Sequence, residues 1–226
     1  MFKRLILASI FFLAANFAYS QIFNKGFSAG LNIGVTKPYV DTHGSDLTLN
    51  LGLGVQYHLT PYTFLSADFV KGTLEREKPD KYSRVFYNSF NDLTLTANMS
   101  LGQVLAPMIG PRLFINDIYI GAGVGVINSN VTTPNAEITD EFGGRRYQGS
   151  DLIIPLNLGY HFKLARQGRI VGNINYQFDY SRADALDGYD VPFSKSDDVY
   201  YKLTIGIKYL LTKPGGGNGS TECYYK

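Results

Sequence analysis

Hydrophobic and polar positions alternate with a period of two from Phe27 onward, in separate blocks of about ten residues, the length that crosses a bilayer as a tilted strand. In the first block Phe27, Ala29, Leu31, Ile33 and Val35 share one face, opposite Ser28, Gly30, Asn32 and Gly34. The second sets Leu47, Leu49, Leu51, Leu53, Val55 and Tyr57 against Thr48, Asn50, Gly52, Gly54, Gln56 and His58. Leu65, Ala67 and Phe69 oppose Ser66 and Asp68 in the third; Leu93, Leu95, Ala97, Met99 and Leu101 oppose Thr94, Thr96, Asn98 and Ser100 in the fourth. The fifth places Ile118, Ile120, Ala122, Val124 and Val126 against Tyr119, Gly121, Gly123 and Gly125, and the sixth Ile154, Leu156, Leu158, Tyr160 and Phe162 against Pro155, Asn157, Gly159 and His161. Ile174, Tyr176, Phe178 and Tyr180 face away from Asn173, Asn175, Gln177 and Asp179 in the seventh, and Tyr201, Leu203, Ile205, Ile207 and Tyr209 from Lys202, Thr204, Gly206 and Lys208 in the eighth. Helical periodicity is not evident. Eight such blocks predict an all-β fold, an eight-stranded antiparallel transmembrane up-and-down β-barrel with both termini on one side.

The connections point the same way. Short joints, 60–62 around Pro61 and 164–169 around Gly168, follow the second and sixth blocks, whereas long polar stretches, 75–91, 128–150 and 182–197, follow the third, fifth and seventh. Short periplasmic turns and long outer loops are the habit of outer-membrane barrels. The loop 37–46 is shorter than the other outer ones, and the joint 103–116, with Pro107 and Pro111, is longer than the rule predicts. With the termini in the periplasm, Tyr57, Tyr160, Phe162 and Tyr209 fall at the inner rim and Phe69, Tyr176, Phe178, Tyr180 and Tyr201 toward the outer rim, giving two interfacial aromatic belts.

The chain ends frame this unit. Residues 1–20 read as a signal peptide: Lys3 and Arg4 make a basic start, residues 5–18 are nearly all apolar, and Ala18, Tyr19 and Ser20 offer a cleavage site. Residues 21–212 form the expected barrel, and 213–226, opening on Lys-Pro-Gly-Gly-Gly, a flexible periplasmic tail. Beyond the leader no apolar run is long enough for a membrane helix, which excludes a helical inner-membrane bundle. Losing Lys3 and Arg4 brings the 21 bases to 19, against 19 acids, a balance that does not favour nucleic acid as partner. Cys223 is the single cysteine, so no intrachain disulfide forms. The 24 glycines suit a crowded lumen, and the 17 tyrosines and 15 phenylalanines suit the belts.

The sequence Leu-Asn-x-Gly occurs at Leu31 to Gly34, Leu49 to Gly52 and Leu156 to Gly159. Leucine meets lipid while asparagine and glycine fit a narrow interior, so the repeat reads as a packing device. With the leader, the eight blocks and this repeat, the chain resembles the OmpA-like outer-membrane β-barrel proteins of Bacteroidota over residues 21–212; the stretch Gly72 to Leu95, with Tyr82, Arg84, Phe86 and Asn88, is similar to that family as well. The resemblance implies a place in the cell outer membrane, and Tyr209 would serve as the aromatic residue of the last strand.

Candidate chemistry is sparse. The lumen face carries Asp68, Asp179, Lys202, Lys208, His58 and His161, ionisable groups tolerable there only with partners or water; Asp179 and Lys202, on neighbouring strands, are placed to pair. A closed network of this kind would plug the barrel, whereas an open one would conduct. His43 with Asp41, Ser45 and Asp46 is the only histidine-bearing cluster outside the blocks, and residues of these types are ordinary turn formers. Gly121 to Gly125 has the spacing of a phosphate loop but lies within an alternating strand. No metal site, cofactor or enzyme activity is expected. Tyr82, Arg84, Phe86, Arg145, Arg146, Tyr147 and Tyr189, aromatic and basic residues of the long outer stretches, are the recognition candidates, because loops on a rigid scaffold carry most recognition. The expected role is structural or surface recognition, with outer-membrane lipid and lipopolysaccharide, and envelope proteins, as partners; the alternatives are a narrow pore for ions or small solutes and a barrel subunit of an envelope or secretion complex.

Overall fold

The computed structural model describes residues 26–39, 46–60, 62–76, 85–102, 117–133, 147–164, 169–181 and 199–211. The leader, the tail with Cys223, the joint 103–116 and the cluster at Asp41, His43 and Ser45 lie outside them. Eight antiparallel strands follow one another around a closed barrel: β1 (Gly26–Tyr39), β2 (Thr48–His58), β3 (Thr63–Arg76), β4 (Phe86–Ser100), β5 (Ile118–Thr132), β6 (Tyr147–Lys163), β7 (Ile170–Ser181) and β8 (Val199–Leu210), with β8 pairing back onto β1. Closure leaves each strand hydrogen-bonded on both sides, the condition for backbone to lie in hydrocarbon.

The register sets the bore. Paired residues lead from Gly26 through His58, Phe64, Asn98, Gly121, Asn157, Gln177 and Lys202 back to β1 at Thr36, a stagger from position 26 to position 36. For eight strands about 4.8 Å apart this gives a tilt of about 40° and a backbone radius of about 8 Å. Side chains fill a cylinder that narrow.

The alternation resolves as expected over the inner part of the barrel. Leu49, Leu95 and Ile205 point outward, 73%, 56% and 53% exposed, while Asn32, Asn50 and Asn157 of the Leu-Asn-x-Gly repeats are buried inside. Glycine is required where the lumen is tightest: a Cβ at Gly159 would lie 2.2 Å from the Tyr119 ring, and one at Gly206 1.9 Å from Asn32 Oδ1. Outside, the Phe162 ring of β6 covers Gly172 of β7, shielding backbone that has no side chain of its own. Pro155 cannot donate a ladder bond, and the β5–β6 pairing skips from Ala122↔Leu156 to Gly125↔Ile153 around it.

Five strands correct the sequence reading. β1 continues to Tyr39, so the start of the stretch 37–46 is strand. β3 continues to Arg76, β4 begins at Phe86, β5 continues to Thr132 and β6 begins at Tyr147, so parts of the stretches 75–91 and 128–150 are strand as well. The period of two persists there, but its polarity reverses. Lys71, Thr73, Tyr87, Ser89, Asn91, Asn128, Asn130, Thr132, Gln148 and Ser150 face out, and Val70, Leu74, Phe86, Phe90, Ile127 and Val131 are buried inside. The border is sharp: the outward row Phe69–Leu93–Val126–Leu152 is followed two residues on by Lys71–Asn91–Asn128–Ser150. Below it lies an oily band about 25 Å tall, the depth of an outer-membrane hydrocarbon layer; above it the four strands β3 to β6 form a water-facing wall whose interior sets these apolar side chains among the buried Arg76, Asn88 and Ser129.

Candidate functional site: the filled lumen

The lumen is layered. Nearest the outer end, Val70, Leu74, Phe86, Phe90, Ile127, Ile153 and Tyr200 form one buried apolar cluster, with the Phe90 and Tyr200 rings 5.7 Å apart. Phe86, expected as a recognition residue of an outer loop, is therefore corrected to an inward position on β4, 2% exposed. Its position has the same parity as Asp92, so the strand geometry turns its ring inward rather than toward a partner. Tyr147 opens β6. Tyr82, Arg84, Arg145, Arg146 and Tyr189 lie outside the described residues.

Beneath the apolar cluster lies an ionic one. Lys202 Nζ of β8 is 2.5 Å from Asp92 Oδ2 of β4 and 3.1 Å from Asp179 Oδ2 of β7, and all three side chains are at most 2% exposed. The bond to Asp92 is a charge-assisted hydrogen bond, while the Asp179 oxygen sits off hydrogen-bonding alignment and is held by Coulomb attraction. Gln177 Nε2 donates to Asp179 Oδ1 at 2.7 Å, and Tyr200 Oη donates to Asp92 Oδ2 at 3.2 Å. These donors matter because a buried carboxylate is tolerated only when its lone pairs are met.

Asp92, Tyr200 and Gln177 join the Asp179–Lys202 pair that neighbouring strands allow. Asp92 shares parity with Thr94 and Thr96 on β4, and that parity is the sequence signal for its inward aim. Nothing local in the sequence brings β4 opposite β8; barrel closure does.

The middle of the lumen is neutral and amide-rich. Ser66 and Thr96 share a hydrogen bond of 2.6 Å, Asn98 Nδ2 donates to both, and Asn157 Nδ2 donates to Thr96 Oγ1 at 3.2 Å and Asn98 Oδ1 at 3.3 Å. A cavity of about 20 Å³ opens among Asn32, Gln56, Asp68, Asn173, Thr204 and Lys208, with room for one water. The Asn32, Asn157 and Asn173 Oδ1 atoms are buried without a protein donor, so a water here would satisfy them. Asp68 and Lys208 thus face the same cavity, apart from the Lys202 cluster.

At the inner end the remaining candidates meet aromatic rings. His161 stacks on Tyr119 at 4.6 Å, Phe64 packs 5.3 Å from His161 and 5.2 Å from Tyr119, and His58 lies 5.5 Å from Phe64. Tyr119 Oη donates to Asn175 Oδ1 at 3.2 Å. The six lumen candidates therefore occupy three places: Lys202 with Asp179, Asp68 with Lys208 at the cavity, and the two histidines among rings. Among the described residues, no group of three or more His, Cys, Asp or Glu side chains is placed to hold a metal.

The chain matches the outer membrane protein beta-barrel domain family over residues 5–209. No match is found among curated proteins. Among solved structures it is similar to neisserial surface protein A, at 11% identity and a TM-score of 0.49, covering 81% of this chain and 96% of that one. It is likewise similar to Ail, the attachment invasion locus protein of Yersinia pestis, at 11% identity and a TM-score of 0.48, covering 84% and 100%. A third is the N-terminal β-barrel domain of OprF from Pseudomonas aeruginosa, at 12% identity and a TM-score of 0.43, covering 82% and 100%. A closed eight-stranded barrel with an oily exterior and the family match across nearly the whole chain lead to one conclusion: the protein is an outer-membrane β-barrel and belongs to the outer membrane protein beta-barrel domain family.

Proposed function

We propose that this outer-membrane barrel is non-enzymatic and non-conducting, and that it serves a structural or surface-recognition role through its outer face. The observation that carries the reading is the Lys202 ammonium, held across the lumen by Asp92 and Asp179 under a lid of buried apolar side chains. An ion crossing this layer would have to part a buried ion pair in a low-dielectric interior and then pass Phe90 and Leu74, at a cost of several kcal/mol. Recognition then falls to the rim and the segments joining strands there, where Tyr82, Arg84, Arg145, Arg146, Tyr147 and Tyr189 remain the candidates, with lipopolysaccharide and envelope proteins as partners.

Reconstitution of the purified full chain in planar bilayers tests this reading. The expected record is a flat baseline at moderate voltage. Steady unitary current steps would instead establish the rival, a narrow pore for ions or small solutes.

A further inference from the structure

We propose that the outward face of β3 to β6 beyond the oily band docks the headgroups of phosphorylated glycolipids in the outer leaflet. The inference rests on the outer-membrane location and the wall's surface, and holds whether or not the lumen conducts.

The wall continues the lipid-facing surface directly. An acyl chain packed on Phe69, Leu93, Val126 or Leu152 delivers its headgroup to the next row, Lys71–Asn91–Asn128–Ser150, and then to Thr73–Ser89–Asn130–Gln148. These two rows are amide and hydroxyl groups except for Lys71. Asparagine and glutamine side chains both donate and accept, as sugar hydroxyls do, and neutral groups hold such a ligand without the desolvation cost of charge. Ser150 Oγ donates to Asn128 Oδ1, so these two side chains form a preset pair. Tyr87, 46% exposed beside Thr132, adds a ring whose face suits the apolar side of a sugar.

A cation sits where a phosphate would lie. Lys71, exposed, is the first outward residue past Phe69 on β3. A compact ammonium at that depth meets a lipid phosphate as a point charge. The other side of the barrel differs. On β7 and β8 the outward positions at this level are Tyr180 and Tyr201, and β1 carries Lys37 and then Tyr39; Tyr201 is stacked on Tyr176 at 6.0 Å and meets Tyr39 edge-on at 6.5 Å. Aromatic rings there suit the hydrocarbon border, so the amide wall is confined to the β3–β6 side. Its two rows and four strands make a patch about 15 Å wide, room for a short oligosaccharide.

The chain lacks tryptophan, so Thr132→Trp supplies a single fluorophore at the edge of the wall. The full chain in phospholipid nanodiscs is titrated with lipooligosaccharide bearing core sugars, with lipid A alone, and with core oligosaccharide freed of lipid. Saturable emission change is expected with lipooligosaccharide, about tenfold weaker apparent affinity with lipid A, and no response to the free sugar. Combining Asn91→Ala, Asn128→Ala and Gln148→Ala should bring lipooligosaccharide down to the lipid A level, with heat-modifiable gel migration checking the fold; Asn128→Leu alone, expected to lower affinity severalfold, serves if the triple variant does not fold. Equal response to lipooligosaccharide and lipid A, equal response to free sugar, or parental affinity in the folded variants would overturn the proposal.

Discussion

Lys202 on β8 reaches across the lumen to Asp92 on β4, with Nζ 2.5 Å from Oδ2, four strands away around the barrel in either direction. The contact joins opposite walls and exists only because the sheet closes. With Asp179 on the adjacent strand 3.1 Å away, one ammonium faces two carboxylates in a site shut off from water.

Removing the cation should therefore be costly, and removing the whole cluster should not. Lys202→Met leaves two buried carboxylates facing each other and is expected to lower stability by about 3–5 kcal/mol. The triple change Lys202→Met, Asp92→Leu and Asp179→Leu should recover most of that loss, because an apolar layer replaces a desolvated one. Denaturant unfolding in detergent or bilayer, read by gel mobility of the folded form, measures both. A single variant as stable as the parent would remove the cluster from the account.

The outer apolar cluster behaves as a core. Phe86→Ala and Phe90→Ala are each expected to cost about 3–5 kcal/mol in the same unfolding measurement, since each leaves a cavity among Leu74, Ile127 and Tyr200. A change of less than about 0.5 kcal/mol, the usual effect at a surface position, would return Phe86 to the loop role that the stretch 75–91 suggests.

Charge on the exterior should discriminate between band and wall. Ile205→Arg, in the oily band of β8, is expected to cost about 2–4 kcal/mol, whereas Asn130→Arg, on the wall of β5, should stay within about 0.5 kcal/mol. Equal effects at the two sites would place both in one environment.

Gly159 answers to the Tyr119 ring. Gly159→Ala puts a methyl where the ring lies 2.2 Å away and should destabilise by about 1–3 kcal/mol. Adding Tyr119→Leu should relieve part of this loss in a double-mutant cycle. Purely additive losses would mean that the ring is not what excludes a side chain at 159.

What was readable in the chain and what was not divide along a physical line. Strand number, facing residues and neighbour pairing follow from a period of two, which is why Asp179 and Lys202 could be placed together on β7 and β8. Asp92 could be aimed inward by parity but not assigned a partner, because a contact across the lumen depends on bore and stagger. The outer halves of β3 to β6 look like loop in the sequence because oily residues leave the outward parity there. From Asn91 to Tyr87 that parity turns polar while Phe90 and Phe86 take the inward one, so the strand persists as its solvent changes from lipid to water. A period of two with the polarity exchanged is the mark of a barrel rising out of its membrane.

That exchange is tested most directly by methyl NMR of the full chain in nanodiscs carrying a paramagnetic label on the lipid acyl chains. The account predicts strong relaxation of the methyls of Leu95, Leu158 and Ile205 and little at Leu74, Ile127 and Val131. Strong relaxation of the second set with protection of the first would contradict it, since the oily faces would then be turned the other way.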